Sequence, residues 1–487
     1  MGNVNEKLLY LADTKTAIKN AIIAKGVDVD TETTFREYAT KIGLIPTPEP
    51  DGGPIVRYFD YDGTILKEEI VISGQNSTPP LTPTHDLLTF NSWNNSSINI
   101  TKDTDIGAIY DTTDGKSYLF ITLTTISGLS PILYLNKATD DVLTVTWGDG
   151  QIVTSSSIGN INLTNTYLVD GDYTITIECS GVYGFGFGVS TQSIFGNTNY
   201  KYIAKNIYIG ANIPSINLGF TNCQSLISVT IPTSVITSGL YAFRYCYSLI
   251  FVNIPNSVTT IGDNMFFNCT SLISVSLSTS ITIIYNSAFG NCHSLLFLNI
   301  PISVTTIGST EFGHCYNLKK IYLPNSIISI GLNAFINCYS LSSASVPFIE
   351  IAMFNYCHSL DNITIFRPTT LINNFAFNYC VKLTTINIPD STTSIGDYTF
   401  RFCYSLTSLI LPLSIISIGS GTFQDCFSLT DYVFNSIIPP TLANINAFTN
   451  INGITKIHVP DESIEAYKTA TNWLTYADYI YPLSTRT

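Results

Sequence analysis

The chain has 487 residues, of which 45% are apolar and 12% aromatic, and its 22 Lys and Arg against 35 Asp and Glu give a net charge of −13. That much apolar material excludes a disordered chain, and the acidic balance argues against nucleic-acid backbones and anionic membrane surfaces as partners. Charged residues are only 12%, about half the average share, so the polar surface must come mostly from Ser, Thr, Asn and Tyr.

Residues 1–20 carry Glu6, Lys7, Asp13, Lys15 and Lys19, where an export signal needs an unbroken apolar run. Nowhere does a run of about 20 apolar residues occur. The expectation is a soluble protein, without membrane insertion, that does not leave by the general secretory route.

Residues 1–45 read as two short helices. Leu8, Leu11, Ile18 and Ile22 share one helical face, and Lys25-Gly26 ends it. Thr34-Phe35-Arg36-Glu37 is a capping box for the second, with Phe35, Tyr38, Ala39 and Ile42 as its apolar side. A unit this small has no adequate core, so it must dock or oligomerise. Residues 46–54, with four Pro and Gly52-Gly53, form a linker. Residues 55–110 read as strands and turns: Val56 to Asp60 alternate, and Asp62-Gly63 supplies a hairpin turn. Residues 111–180 hold Trp147-Gly148-Asp149-Gly150 and Gly171-Asp172-Tyr173, tight turns beside alternating strands. Asp140, Asp149 and Asp172 could suggest Ca²⁺, but no alternating acidic loop is present, so turn formation is the expected role. Residues 181–206 are Gly- and aromatic-rich and lead into a degenerate first repeat that caps a repeat array.

From Cys223 the chain becomes periodic. Cys223, Cys246, Cys269, Cys292, Cys315, Cys338, Cys357, Cys380, Cys403 and Cys426 are 23 residues apart, except for one interval of 19 between Cys338 and Cys357. Phe stands three residues before each, and Leu three after. A fixed period of this size marks a solenoid. Leu-x-x-Val-x-Ile ends in a period-2 strand, and Pro often closes it. A second short apolar run comes next, as in Val258 to Gly262, and a short helical turn closes the unit. The fold class is therefore mainly β: a solenoid of ten 23-residue repeats, one shortened to 19, over residues 181–435. A helical cap over residues 436–487 covers its last edge. The 19-residue repeat lacks the usual Ser-Val-x-x-Ile-Gly and predicts a kink or a shortened second strand. The cysteines lack paired zinc-ligand spacing. Each has two equivalent neighbours and no unique disulfide partner, so buried free thiols are expected.

The Cys-Phe-Leu pattern resembles the BspA-type leucine-rich repeats of bacterial surface and phage proteins. The series from Tyr61-Asp62-Gly63 through Trp93 to Ala108-Ile109-Tyr110 resembles the internalin B-repeat, a spacer or adhesion unit. Residues 115–180 resemble the PKD-type β-sandwich. The run Lys7 to Lys15, with Lys25-Gly26-Val27 and Thr34 to Ala39, resembles an N-terminal motif of gut-phage tail and virion proteins. That last resemblance implies that Leu8, Leu11, Ile18, Ile22, Phe35, Tyr38 and Ile42 anchor the chain to other virion proteins, with several copies of the chain on one particle.

No catalytic constellation is visible. His293, His314 and His358 sit beside repeat cysteines in slots filled elsewhere by Tyr, Phe or Gln, and no phosphate loop or zinc motif occurs. The chain reads as a non-enzyme that needs no cofactor or metal. What remains is a surface. At the two outward positions of each repeat strand most residues are small and polar, but Phe251, Phe297, Lys320 and Tyr322 break the rule. A second stripe, with Tyr247, Tyr316, Tyr339 and Tyr404, lies just after the cysteines; it either stabilises the stack or touches a receptor. The expected role is a phage virion fibre or receptor-binding protein. Its N-terminus anchors it, its β modules act as spacers, and its repeats meet host-surface polysaccharide or glycoprotein. The alternatives are a bacterial surface adhesin and a virion decoration protein without a receptor role.

Overall fold

The computed structural model describes residues 53–123, 131–181, 183–185, 204–216, 219–450 and 455–486. The expected anchor helices, with Leu8, Leu11, Ile18, Ile22, Phe35, Tyr38 and Ile42, lie outside the described residues.

The first module is a four-stranded sheet of β1 (Ile55–Phe59), β2 (Ile65–Ile70), β3 (Leu88–Trp93) and β4 (Thr104–Thr112), in the order β2-β1-β4-β3. Asp62-Gly63 makes the predicted hairpin between β1 and β2. One face buries Val56, Tyr58, Val71, Ile100 and Ile106. So small a core is marginal by itself. β4 resolves this by being covered on both faces, from Asp105 to Tyr110.

A two-sheet sandwich comes next, built from β5 (Ser117–Leu123), β6 (Ile132–Lys137), β7 (Leu143–Thr146), β8 (Ile152–Ser155), β9 (Gly159–Thr164), β10 (Gly171–Glu178) and β11 (Tyr183–Phe185). Strands β5-β10-β7-β8 form one sheet and β11-β6-β9 the other. Trp147 is fully buried between them, and the Tyr167 hydroxyl donates to its carbonyl at 2.6 Å. β5 then pairs antiparallel with β12 (Ala204–Tyr208), which pairs parallel with β13 (Ser228–Thr230). The sandwich sheet and the first solenoid strands are thus one sheet. The sandwich itself closes the solenoid's open N-terminal edge, the job assigned from sequence to residues 181–206. One hydrophobic core runs unbroken from Leu119 to Ile480.

Most repeats contribute one face strand, such as β14 (Phe251–Asn253), and most add a second strand of two residues, such as Thr260–Ile261. A third side is made of turns and carries the periodic Phe and Cys. The expected helical turn is not there. The residue before each cysteine has positive φ, from Asn222 at 65° to Asp425 at 60°, and a second such residue lies four positions earlier in most repeats. Asn takes this conformation readily, whereas Tyr and Phe do so at a cost. Where Tyr356, Tyr379 and Phe402 occupy the slot, their rings stack at 4.6 and 4.3 Å, which offsets part of the strain.

The rungs have two components. The Phe rings from Phe220 to Phe423 stack at 5.2–5.9 Å, nearly parallel. Each thiol from Cys246 onward donates to the carbonyl of the Phe in the preceding repeat, at 2.9–3.3 Å. Cysteine therefore does more than fill a small apolar slot: the Phe carbonyl already accepts from the Cys amide of its own repeat, and the thiol gives it a second donor across the repeat boundary. All eleven cysteines are free and buried. Burial pushes the Cys223 and Cys426 thiols up to about 12 and the others between them up as well. Alkylation of the native protein at pH 8 should label none of the ten repeat cysteines, and alkylation after denaturation without reductant should label all ten; a mass corresponding to any disulfide would contradict the ladder.

At the 19-residue repeat the second strand is missing. The two-residue strands form one sheet ending at Ser329–Ile330 and another beginning at Leu371–Ile372. Arg367 fills the gap: its guanidinium donates to the carbonyls of Ile327, at 2.7 Å, and Asn325.

The first module is not a spacer. It folds back onto the solenoid, with β4 lying across β13, β14 and the strand Ser274–Ser276. The joint is a polar node. The Asn253 amide donates to the Ala108 carbonyl at 2.8 Å, and the Asn94 amide to the carbonyls of Ile254 at 3.1 Å and Ser276 at 2.9 Å. Asn253 lies so close over β4 that a Cβ at Gly107 would sit 1.8 Å from its oxygen. Gly107→Val should therefore release the module, exposing residues 53–112 to hydrogen exchange at least tenfold faster while the repeats from Cys292 onward keep their protection.

Candidate functional site

The candidate site is the solenoid's face sheet, and the docked module divides it in two. Ser228, Thr230, Phe251, Asn253, Ser274 and Ser276 are all at most 4% exposed. Beyond them the face opens: Asn362, Thr364, Thr385 and Asn387 are exposed, and Ser343, Ser345 and Ser408 are half-buried.

The expected aromatic platforms separate accordingly. Phe251 is not on the surface. It is 2% exposed and stacks on Phe59 of the module at 4.5 Å, and a Cβ at Gly63 would meet its Cβ at 2.8 Å. Phe297 is half-buried beneath Arg57, whose guanidinium lies 4.5 Å from the ring centre. Both serve the joint between module and solenoid. The sequence showed that they point away from the repeat core but could not show what lies on them. Tyr322 is 38% exposed on the open half, beside a half-buried Lys320.

The stripe after the cysteines is a ring stack. His293, Tyr316, Tyr339 and His358 succeed one another at 4.6, 4.9 and 4.9 Å. Burial lowers both histidines, so the stack is neutral at pH 7. Val381 interrupts it, and Tyr404 and Phe427 resume it at 5.7 Å. Tyr247, Tyr339 and Tyr404 are each more than a third exposed. The stack both ties repeats together and presents ring edges to solvent.

The acidic residues of the sandwich turn out to be turn and cross-strand partners. Asp149 accepts from the Gln151 amide and from Asn165, and Asp172 from Thr122. Among the described residues no three His, Cys, Asp or Glu side chains converge as a metal site.

The joint holds charged groups that the sequence did not single out. Asp105 is 2% exposed, with Arg57 at 3.6 Å and the Ser274 hydroxyl at 3.4 Å. Burial pushes its carboxyl up to about 7, against the opposing pull of Arg57 and Ser274. Its docked value lies above that of a free aspartate, near 3.9. Its contribution to docking is therefore full below about pH 4 and is lost as pH rises through about 7. Module protection measured by hydrogen exchange should fall between pH 5 and pH 8, after correction for intrinsic exchange, and Asp105→Asn should flatten most of that dependence.

The repeat pattern has a counterpart among known families. The family model for the BspA type leucine rich repeat region matches residues 215–342 and 347–472, in six copies. The chain belongs to this family. No curated protein matches it significantly. Among solved structures, a leucine-rich repeat protein from Bacteroides ovatus is 20% identical, with 67% of this chain and 95% of that one covered and a TM-score of 0.47. The T. pallidum leucine rich repeat protein is 29% identical, covering 37% and 83%, with a TM-score of 0.32. A leucine rich cell surface protein from Faecalibacterium prausnitzii is 24% identical, covering 57% and 88%, with a TM-score of 0.34. Among the described residues no helix is long and apolar enough to cross a membrane.

Proposed function

We propose that the chain is a non-enzymatic recognition protein that binds host-surface polysaccharide or glycoprotein through the uncovered half of its solenoid face, and that residues 1–45 hold it on a virion. The observation that carries the recognition role is the division of the face. The module seals the first three strands, while the strands beyond Phe297 keep solvent-facing Tyr322, Asn362, Thr364, Thr385 and Asn387. Small hydroxyl and amide side chains with a flat ring among them suit sugars, whose hydroxyls need partners and whose C–H faces stack on aromatics. Leucine-rich-repeat solenoids are binding scaffolds, and their extended sheets favour shallow contact over the converging groups that catalysis needs. Several copies on one particle would turn weak single contacts into firm attachment.

Family membership favours a second reading, a bacterial cell-surface adhesin with the same binding face, because BspA-type repeat proteins are cell-surface proteins. Antibody against the solenoid separates the two: label on purified particles supports the virion, label on the cell envelope the adhesin. For the binding role itself, fluorescent full-length protein should bind host cells and be displaced by their isolated surface polysaccharide. Tyr322→Ser should weaken that binding several-fold at unchanged melting temperature, whereas Phe251→Ser should lower the melting temperature. Absence of any cell binding would refute the recognition role.

A further inference from the structure

The face ladder is interrupted twice. Residues 295–300 and 384–389 keep the alternating apolar pattern of a face strand, yet neither forms one. The first interruption is filled by the chain itself. Arg57 covers Phe297, and the Lys102 ammonium donates to the Ile300 carbonyl at 2.6 Å. In the two preceding repeats the equivalent strand-end carbonyls, Ile254 and Leu277, accept from Asn94 and Asn95. Polar donors on the module thus cap the row of strand ends wherever the module reaches.

The second interruption stands beyond the module and is open. From Thr384 to Ile388, the one backbone–backbone hydrogen bond among the described residues is from the Thr407 amide to the Thr384 carbonyl, at 3.4 Å. Ile386 and Ile388 remain buried in the core, at 9% and 4% exposure. The strand therefore keeps its side-chain register but leaves its main-chain donors and acceptors unpaired. A cleft of about 840 Å³ lies here, lined among others by Asp361, Asn362, Lys382, Thr385, Asn387 and Ser405. The ring stack is interrupted at the same repeat, where Val381 replaces an aromatic between His358 and the exposed Tyr404.

We propose that this cleft is a glycan-binding site that takes a short oligosaccharide of neutral or amino sugars, an assignment that rests on the recognition role proposed above. Backbone amides and carbonyls that have only water as partner can exchange it for a ligand dense in both donors and acceptors, and sugar hydroxyls are both. Asp361, Asn362 and Asn387 place acceptors and amide donors where adjacent hydroxyls can be gripped in pairs. Lys382 offsets the Asp361 charge, so the cleft does not select a highly charged ligand. The Tyr404 ring beside Ser405 offers a flat surface to a sugar's C–H face. The break is flanked by two edge strands, Asn362–Ile365 and Ser408–Leu411, but residues 384–389, with Ile386 and Ile388 in the core, already fill the space between them, so an added peptide strand finds no room there.

The test uses the full chain on an array of glucose, mannose, galactose and N-acetylglucosamine oligomers, together with host cells before and after protease treatment. Two variants are compared with the parent: Asp361→Ala with Asn387→Ala, which removes polar partners, and Thr385→Trp, which fills the cleft. These side chains are exposed, so melting temperatures should not change. The proposal expects array binding by the parent, at least tenfold weaker binding by both variants, and cell binding that survives protease. Parent-like binding by both variants would overturn the site while leaving the recognition role standing. Cell binding that protease abolishes, with no array binding, would make the ligand a protein and overturn the glycan assignment. If the parent bound neither cells nor array, the recognition role would fall as well.

Discussion

The thiol-to-carbonyl bond between neighbouring repeats sets the geometry of everything else. Turn-rich backbone on one side of the solenoid places each Phe carbonyl inside the core, where it accepts from the Cys amide of its own turn and has a second lone pair to fill. A hydroxyl at that position would bring a stronger hydrogen-bonding group into the core, and a methyl would leave the carbonyl its turn bond but no bond to the next repeat. A thiol is small, apolar enough to bury and still a donor. Its reach ties each Cys to the Phe carbonyl one repeat back, at 26 residues, or 22 where the repeat is short. Face strands, second strands and ring stacks all inherit that spacing.

The repeat architecture was legible in the sequence because its signals are local and recur: a cysteine at fixed period, Phe before it and Leu after it. The missing second strand of the 19-residue repeat was legible for the same reason. What was not legible depends on single residues at long range. Asn94, Gly107 and Asn253 form one node across some 150 residues of chain, and nothing in their neighbourhoods marks them as partners. Phe251 and Tyr322 both point outward from face strands, yet the module buries one and leaves the other open. Glu311 illustrates the same limit inside the core. It occupies a slot held by Ala242, Ala288 and Ala334, is fully buried, and has one carboxyl oxygen bonded to the Ala288 amide and the other without a partner. Burial pushes that carboxyl far up.

Three units that look separate in the sequence are energetically one. The sandwich shares a sheet with the solenoid, and the module lends it donors for strand-end carbonyls while borrowing its face as a second wall. Each arrangement solves an exposure problem: an open sheet edge in the first case and a two-sided strand with too little core in the second. The cost is surface, since the module's docking removes three strands of face from contact with anything outside. For the proposed recognition role this leaves the C-terminal repeats as the available face.

The docked module also decides how the body is carried. The chain enters it at Gly53 and Pro54, where the Pro54 carbonyl holds Val71 and the Ile55 amide donates to Asp103, next to the Lys102 that grips Ile300. That entry point stands over the flank of the solenoid, several repeats in from its first rung. Under the proposed attachment through residues 1–45, a pull would enter the body there, between the sandwich and the open repeats. Such a pull would reach the solenoid through the joint that Asn94, Gly107 and Asn253 make, so the joint would carry load ahead of the rungs.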